Sequence, residues 1–363
     1  MQQNSFTFLM KKHNFGAGPS ILPRPVYEKG AEAILDFNYS GVSLLEMSHR
    51  SPEIVDIMQT ARNLVLELAQ LQGKGYQVLF LQGGASLQFA MVAANLLQNK
   101  AAYLNTGTWA NNAIQEARFY GEVTEVASSK DQNYNYIPKG YSIPDTADYF
   151  HITSNNTIYG TQLHQFPSSP IPVVCDMSSD IFSRQLDYSY FSLIYAGAQK
   201  NIGPSGVAVV IIKEEILSNR NRSIPNILNY QAHIDKESMY HTPAVLGVYL
   251  CWQNLEYLKS IGGIETIEKI NRSKAEMLYA EIDRNSLFQG HAVTEDRSFM
   301  NVTFTLTYDR LQERFNNLAQ EAGIIGINGH RTVGGYRASI YNALPLESVQ
   351  VLVEVMQHLE KTA

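Results

Sequence analysis

The stretch YAGAQKNIGPSGV (195–207) holds a single lysine, Lys200, among glycines and small residues, with the apolar runs FSLIYAGAQ and VAVVII on either side. Two strands joined by a short loop ordinarily carry a turn there and nothing else. A long amine in such a place is either a solvated turn residue or a nucleophile that a flat carbonyl compound can approach. Other polar residues sit at comparable points. LQGGASLQF sets two glycines between an apolar run and a helical segment whose first turn contains Ala85 and Ser86. Free backbone amides at a helix N-terminus, approachable past glycine, suit a phosphate; the plainer reading is a tight turn with a capping serine. Asp176 closes the apolar run IPVVCD, where a carboxylate is costly unless it is paired or caps a helix.

Trp109, in NTGTWAN, follows another apolar run and offers an indole face to a flat ring. Thr157 in SNNTIYG and Gln199 beside the lysine add hydrogen-bonding groups for a phenolic oxygen or a phosphate. An amine, a carboxylate, an aromatic face and an anion cup together meet the needs of one familiar cofactor, pyridoxal 5'-phosphate. Its aldehyde condenses with a lysine, its pyridinium pairs with a carboxylate, and its phosphate takes amide donors. The solvated-turn reading of Lys200 loses once the four are taken together.

The elements that must hold these residues follow from patterning. From Ser51, SPEIVDIMQTARNLVLELAQL has a capping serine, a proline at the first helical position, and apolar residues at helical spacing (Ile54, Ile57, Ala61, Leu64, Leu68). The runs YQVLFLQ, AAYLNTG, ADYFHITSN and IPVVCDM read as buried strands separated by helical or turn-rich pieces, which predicts a mostly parallel sheet covered by helices. Ligands of such sheets lie beyond the carboxyl ends of the strands. Past Gly262–Gly263 the texture changes to a long helix, the alternating strand FMNVTFTL, and a last helix from Leu346: a smaller α+β unit.

Composition narrows the partners. Among 363 residues, 45% are hydrophobic and 17% charged, within the globular range, and the net charge is -6. That balance argues against nucleic acid or an anionic membrane as the main partner, and no apolar run reaches the length of a membrane span. The two cysteines, Cys175 and Cys251, form neither a disulfide framework nor a zinc cluster, and the scattered histidines predict no metal site. The opening FTFLM is too short for an export signal, so residues 1–9 are expected to be a disordered tail and the protein cytoplasmic.

The motifs NFGAGPS, EMSHRSPE, LQGGASLQF, NTGTWA, NNTIYG, CDMSSD, YAGAQKNIGPSGV and GHRTVGGYRASIYNA resemble those of the phosphoserine aminotransferase family, in the class V group of fold-type I pyridoxal-phosphate enzymes. The resemblance runs from about His13 to the end of the chain. It implies an α/β fold with a large cofactor-binding domain (20–262) built on a mostly parallel seven-stranded sheet. A smaller α+β C-terminal domain (263–363) follows, with segment 10–19 packing against it. It implies transamination between L-glutamate and 3-phosphohydroxypyruvate, giving 2-oxoglutarate and O-phospho-L-serine; use of the related four-carbon keto acid of the vitamin B6 route stays open. By the same resemblance Lys200 is the Schiff-base lysine and proton shuttle, and Asp176 is the partner of the pyridine nitrogen. Trp109 is the stacking ring, Thr157 the neighbour of the phenolic oxygen, and Ala85, Ser86 and Gln199 phosphate ligands. Members are homodimers with shared active sites, to which His49, Arg50, His241 and Thr242 come from the neighbouring subunit. Where the family usually reads Asn-Thr-Pro this chain reads His-Thr-Pro, so His241 departs from the pattern and Thr242 keeps it. Ser20, His330, Arg331 and Arg337 complete the implied substrate site: Arg337 for the α-carboxylate, and His330 and Arg331 with His49 and Arg50 of the other subunit for the phosphate or side-chain carboxylate. The nearest rival is another class V enzyme, an alanine–glyoxylate type transaminase or a cysteine desulfurase; a desulfurase needs a thiol on an exposed loop, and neither cysteine is so placed.

Overall fold

The apolar runs become one seven-stranded sheet: β1 (Tyr76–Gln82), β2 (Lys100–Asn105), β3 (Glu122–Ser128), β4 (Phe150–Thr153), β5 (Val173–Asp176), β6 (Leu193–Gly197) and β7 (Val207–Lys213). The computed structural model describes residues 11–218 and 222–363, so the tail expected at residues 1–9 lies outside the described residues. Across the sheet the order is β1-β7-β6-β5-β4-β2-β3. β7 runs antiparallel to both of its neighbours and every other pair is parallel. Six strands, β1 to β6, therefore bring their carboxyl ends to one edge of the sheet. β7 starts at that edge, with Val207 opposite Gln82.

Among the described residues, eight helices of ten residues or more surround the sheet and its smaller neighbour: α1 (Arg24–Leu35), α2 (Pro52–Leu68), α3 (Ala85–Leu96), α4 (Thr108–Ala117), α5 (Val245–Ser260), α6 (Gly263–Arg284), α7 (Gln312–Glu321) and α8 (Leu346–Thr362). Alternation along the strands decides which layer each side chain joins. On β7, Val209 and Ile211 pack with α2 and α5, while Val210 and Ile212 pack with α3 and α4. Strands buried on both faces read as unbroken apolar runs for that reason. In α2, Ile54, Ile57, Ala61 and Leu64 are buried, and Leu68 is partly buried. The serine cap needs correction: Ser51 occupies the N-cap position, but its side chain makes no capping hydrogen bond, and its Oγ is buried without a partner.

Gly262 turns the chain from α5 into α6 with φ +106, a left-handed conformation that a side chain would strain. Beyond it, β8 (Phe288–Gly290), β9 (Asn301–Leu306) and β10 (Tyr336–Ser339) form an antiparallel sheet in that order. Its core joins Leu278, Val302, Phe304, Phe315 and Leu352 to Phe15 of the N-terminal segment, whose His13 and Asn14 pair in parallel with Ile324 and Ile325. No helix among the described residues is long and apolar enough to cross a membrane.

Candidate active site

Lys200 sits in the turn between β6 and β7, at the edge where the strand ends meet. The turn is pinned on three sides. Ala198 N–H donates to the Val207 carbonyl at 2.9 Å, closing the hairpin. Asn254 of α5 donates to the carbonyls of Asn201 and Ile202 at 2.9 and 2.8 Å. Ser20 donates its N–H to the Gln199 carbonyl at 2.9 Å and its hydroxyl to the Lys200 carbonyl at 2.6 Å. With its backbone held, the Lys200 amine reaches out to donate to Thr157 Oγ1 at 2.7 Å.

A cavity of about 310 Å³ opens over this amine. Gly84, Ala85 and Ser86 line one end, where α3 begins behind Gly83 (φ +111) with no side chain capping its first amides. Trp109, in the first turn of α4, lines a wall. Asp176 and Thr157 line the floor beside Lys200 and Gln199, and His330 and Arg337 enter from the smaller unit. Three polar atoms at this cavity are buried without a protein partner: Trp109 Nε1, Thr153 Oγ1 and Arg337 Nε. An orphaned donor in a concave site is a place for a ligand acceptor.

Electrostatics match the geometry. Asp176 is 4% exposed and accepts a hydrogen bond from Ser178 N–H at 2.9 Å. Burial pushes its carboxyl above the usual carboxylate range; the Ser178 donor and the Lys200 charge oppose that. A cation set against the carboxylate would restore its charge. Burial likewise pushes Lys200 down to about 8; Asp176 works against the shift and Arg337 with it. Desolvation also lowers Arg337.

The other expected residues lie apart from this cavity within the chain. His49 is partly buried, Arg50 and Thr242 are exposed, and His241 is partly buried with its Nδ1 unpartnered. None of the four lines the cavity. Arg331 is exposed and does not line it, unlike its neighbour His330. Ser20, expected at the substrate, holds the lysine loop and does not line the cavity within the chain. Residue patterning missed Thr153, Asn155, Ser178 and Ser179, all lining the cavity. A usable signal existed for two of them. Thr153 ends a strand in register with Asp176, and Ser178 stands two residues after a strand-end aspartate, where an Asx-type bond to the backbone forms. Both cysteines are buried, and burial raises both thiols, so neither is a nucleophile.

Comparison with known proteins points the same way as this geometry. The aminotransferase class-V family profile matches residues 12–352. The chain is 63% identical to a phosphoserine aminotransferase of Flavobacterium psychrophilum, over 97% of this chain and 99% of that protein. It is 56% identical to one of Bacteroides thetaiotaomicron, again over 97% and 99%. Among solved structures, the phosphoserine aminotransferase of Bacillus circulans subsp. alkalophilus superposes with a TM-score of 0.94 at 41% identity, covering 97% of this chain and 99% of that one. A PLP-bound phosphoserine aminotransferase of Trichomonas vaginalis superposes with a TM-score of 0.91 at 32% identity, covering 96% and 100%. By sequence, by fold and by the groups gathered at the sheet edge, the chain belongs to the class-V aminotransferase family, among its phosphoserine aminotransferases.

Proposed function

We propose that the protein is a pyridoxal-phosphate-dependent transaminase that exchanges an amino group between L-glutamate and 3-phosphohydroxypyruvate, giving 2-oxoglutarate and O-phospho-L-serine. One observation carries the reading: a lysine amine lowered to about 8 and a buried carboxylate share one cavity with a helix start that no side chain caps. Bound there, the cofactor supplies an aldehyde that takes up amino groups and a protonated ring that withdraws electrons from the substrate's α-carbon.

The residues then have distinct tasks. Lys200, whose amine loses its proton far more readily than an ordinary lysine's, would hold the aldehyde and move the α-proton on its Nζ. Asp176 holds the proton on the ring nitrogen, because a carboxylate in so dry a place is stabilised by an adjacent cation. Trp109, on the cavity wall, would offer its indole to a face of the ring. Thr157, already an acceptor for the lysine amine, stands by the phenolic oxygen. Ala85 and Ser86 offer their free amides to the phosphate with Gln199. Arg337 takes the α-carboxylate, its planar fork suited to a bidentate grip.

A second copy of the chain completes the phosphate pocket in this reading. His49, Arg50, His241 and Thr242 fall short of the cavity in their own subunit, and Leu35, Tyr39 and Leu45, at 83%, 98% and 61% exposure, lie close in sequence to His49 and Arg50. Apolar side chains so exposed are the material of an interface. Thus the working unit is a homodimer in which each subunit lends these four residues to the other, and His330 and Arg331 meet them at the substrate phosphate. Pairing of His13–Asn14 with Ile324–Ile325 supports packing of the N-terminal segment on the smaller unit. The mild negative charge and buried free thiols fit a cytoplasmic enzyme. A coupled assay of the purified protein tests the reading: phosphoserine with 2-oxoglutarate should turn over rapidly, and serine poorly. Equal rates for the two would reduce the function to class-V transamination of unassigned substrate.

A further inference from the structure

A second lysine is buried without a part in the chemistry above. Lys274 of α6 is 0% exposed and lies outside the cavity. Its Nζ donates to the carbonyls of Ile340, Tyr341 and Leu344 at 2.9, 2.7 and 3.1 Å. Three acceptors match the three N–H bonds of an ammonium. Burial pushes this amine down to about 7, and the carbonyl oxygens favour the charged form against that pressure.

The clamped segment directly follows β10, the strand that carries Arg337. At its centre, Asn342 donates its backbone N–H to Asn201 Oδ1 at 3.1 Å and its side-chain amide to the Phe182 carbonyl at 3.0 Å. Asn271, one turn of α6 before Lys274, donates to Asn342 Oδ1 at 2.8 Å. Asn201 is the residue after Lys200. A short, fully hydrogen-bonded path thus runs from the guanidinium-bearing strand to the amine-bearing turn, crossing from the smaller unit to the larger.

We propose that Lys274 and Asn342 are positioning residues that set the separation between the Arg337 guanidinium and the Lys200 amine, and through it the affinity for the amino-acid carboxylate. A bidentate grip on a carboxylate tolerates displacements of only about 0.5 Å, so slack in this seam weakens the grip while the cofactor end of the site stays intact. The inference rests on the assignment of Arg337 to the carboxylate.

The test uses the holoenzyme and glutarate, a dicarboxylate that cannot react, with binding followed by the change in the cofactor's absorption. In Lys274→Met and in Asn342→Ala, cofactor stoichiometry stays at one per chain and the glutarate Kd rises about tenfold. KM for glutamate rises in step, and kcat at saturation changes less than twofold. The double variant is no worse than the more affected single variant, since both loosen the same clamped segment, Lys274→Met at its carbonyls and Asn342→Ala at its side-chain bonds to Asn271 and Phe182. A fall in Tm with Kd and KM unchanged would show that the cluster only holds the fold together, and would overturn the proposal. Should Lys274→Met fail to fold, Asn342→Ala decides alone, because it keeps the backbone bond to Asn201. Arg337→Lys in the same assay separates the two layers of the argument. Weak glutarate binding there with normal binding in the seam variants overturns the seam alone; normal binding in Arg337→Lys overturns the carboxylate assignment and the seam with it.

Discussion

Lys200 Nζ and Thr157 Oγ1 are joined by a 2.7 Å hydrogen bond that ties the turn between β6 and β7 to the chain just beyond β4. The two elements are not neighbours in the sheet; β5, with Asp176 at its end, lies between them. The bond therefore extends the amine across the sheet edge, over the strand whose last residue is the carboxylate. Thr157 is 4% exposed, so the amine is drawn inward and not left to water.

That placement makes the reactivity of Lys200 depend on pH in a defined sense. With the amine lowered to about 8, uptake of pyridoxal phosphate by the apoprotein should quicken about tenfold per pH unit well below that value and level off above it. Stopped-flow absorbance measures the rate. Lys200→Ala, as the control, forms no borohydride-stable adduct. Because the folded-state value lies below the ordinary 10.5, the unfolded chain binds more protons between the two, and apoprotein stability rises with pH across that window. A rate still climbing tenfold per unit above pH 9 would place the attacking amine elsewhere.

Asp176→Asn should keep the fold and much of the cofactor, since an amide fills the same space. Activity should drop about 100-fold or more, about 3 kcal/mol at ~1.4 kcal/mol per tenfold, because a neutral amide does not hold the ring proton. Single-turnover kinetics with glutamate give the number directly. Turnover within about twofold of the parent would reduce Asp176 to a partner of Ser178 N–H.

The shared-site reading predicts complementation. Lys200→Ala and Arg50→Ala are each nearly inactive toward phosphoserine, but mixed and allowed to exchange subunits they should recover roughly a quarter of parental activity: half the dimers are mixed, each with one intact site. No recovery after demonstrated exchange rules out donation of Arg50 across the interface. In the same series Arg331→Ala should weaken phosphoserine far more than alanine, and Arg337→Ala should weaken every amino acid.

The lysine turn is also pressed against α5, and this is open to a stability test. A Cβ added at Gly203 would stand 2.4 Å from Cys251 Sγ. Gly203→Ala should therefore destabilise the protein by about 1–3 kcal/mol through overpacking. Cys251→Ala in the same chain, by removing the sulfur, should return most of the loss in a denaturant titration. A Gly203→Ala variant as stable as the parent would mean that α5 yields at that point.

Lys200, Asp176, Trp109, Thr157 and the Ala85–Ser86 turn were legible in the sequence because each follows an apolar run. A parallel sheet brings polar residues at the ends of such runs to one edge, and local patterning reports both the runs and their ends. What patterning lacks is distance between elements remote in sequence. The order β1-β7-β6-β5-β4-β2-β3 decided that Thr157 and Lys200 meet across Asp176. Of the three basic residues in GHRTVGGYR, only tertiary packing decided that His330 and Arg337 line the cavity while Arg331 is exposed. The same packing sets Ser20 against the lysine backbone, a contact that local patterning does not report. Lys274 carries no sequence mark at all: on a helix rich in charged residues it looks solvated, and it is buried only because three carbonyls of a distant segment converge on its amine. Periodicity reflects which face of an element is covered; which groups meet across the covered faces is settled by the long-range packing of the whole chain.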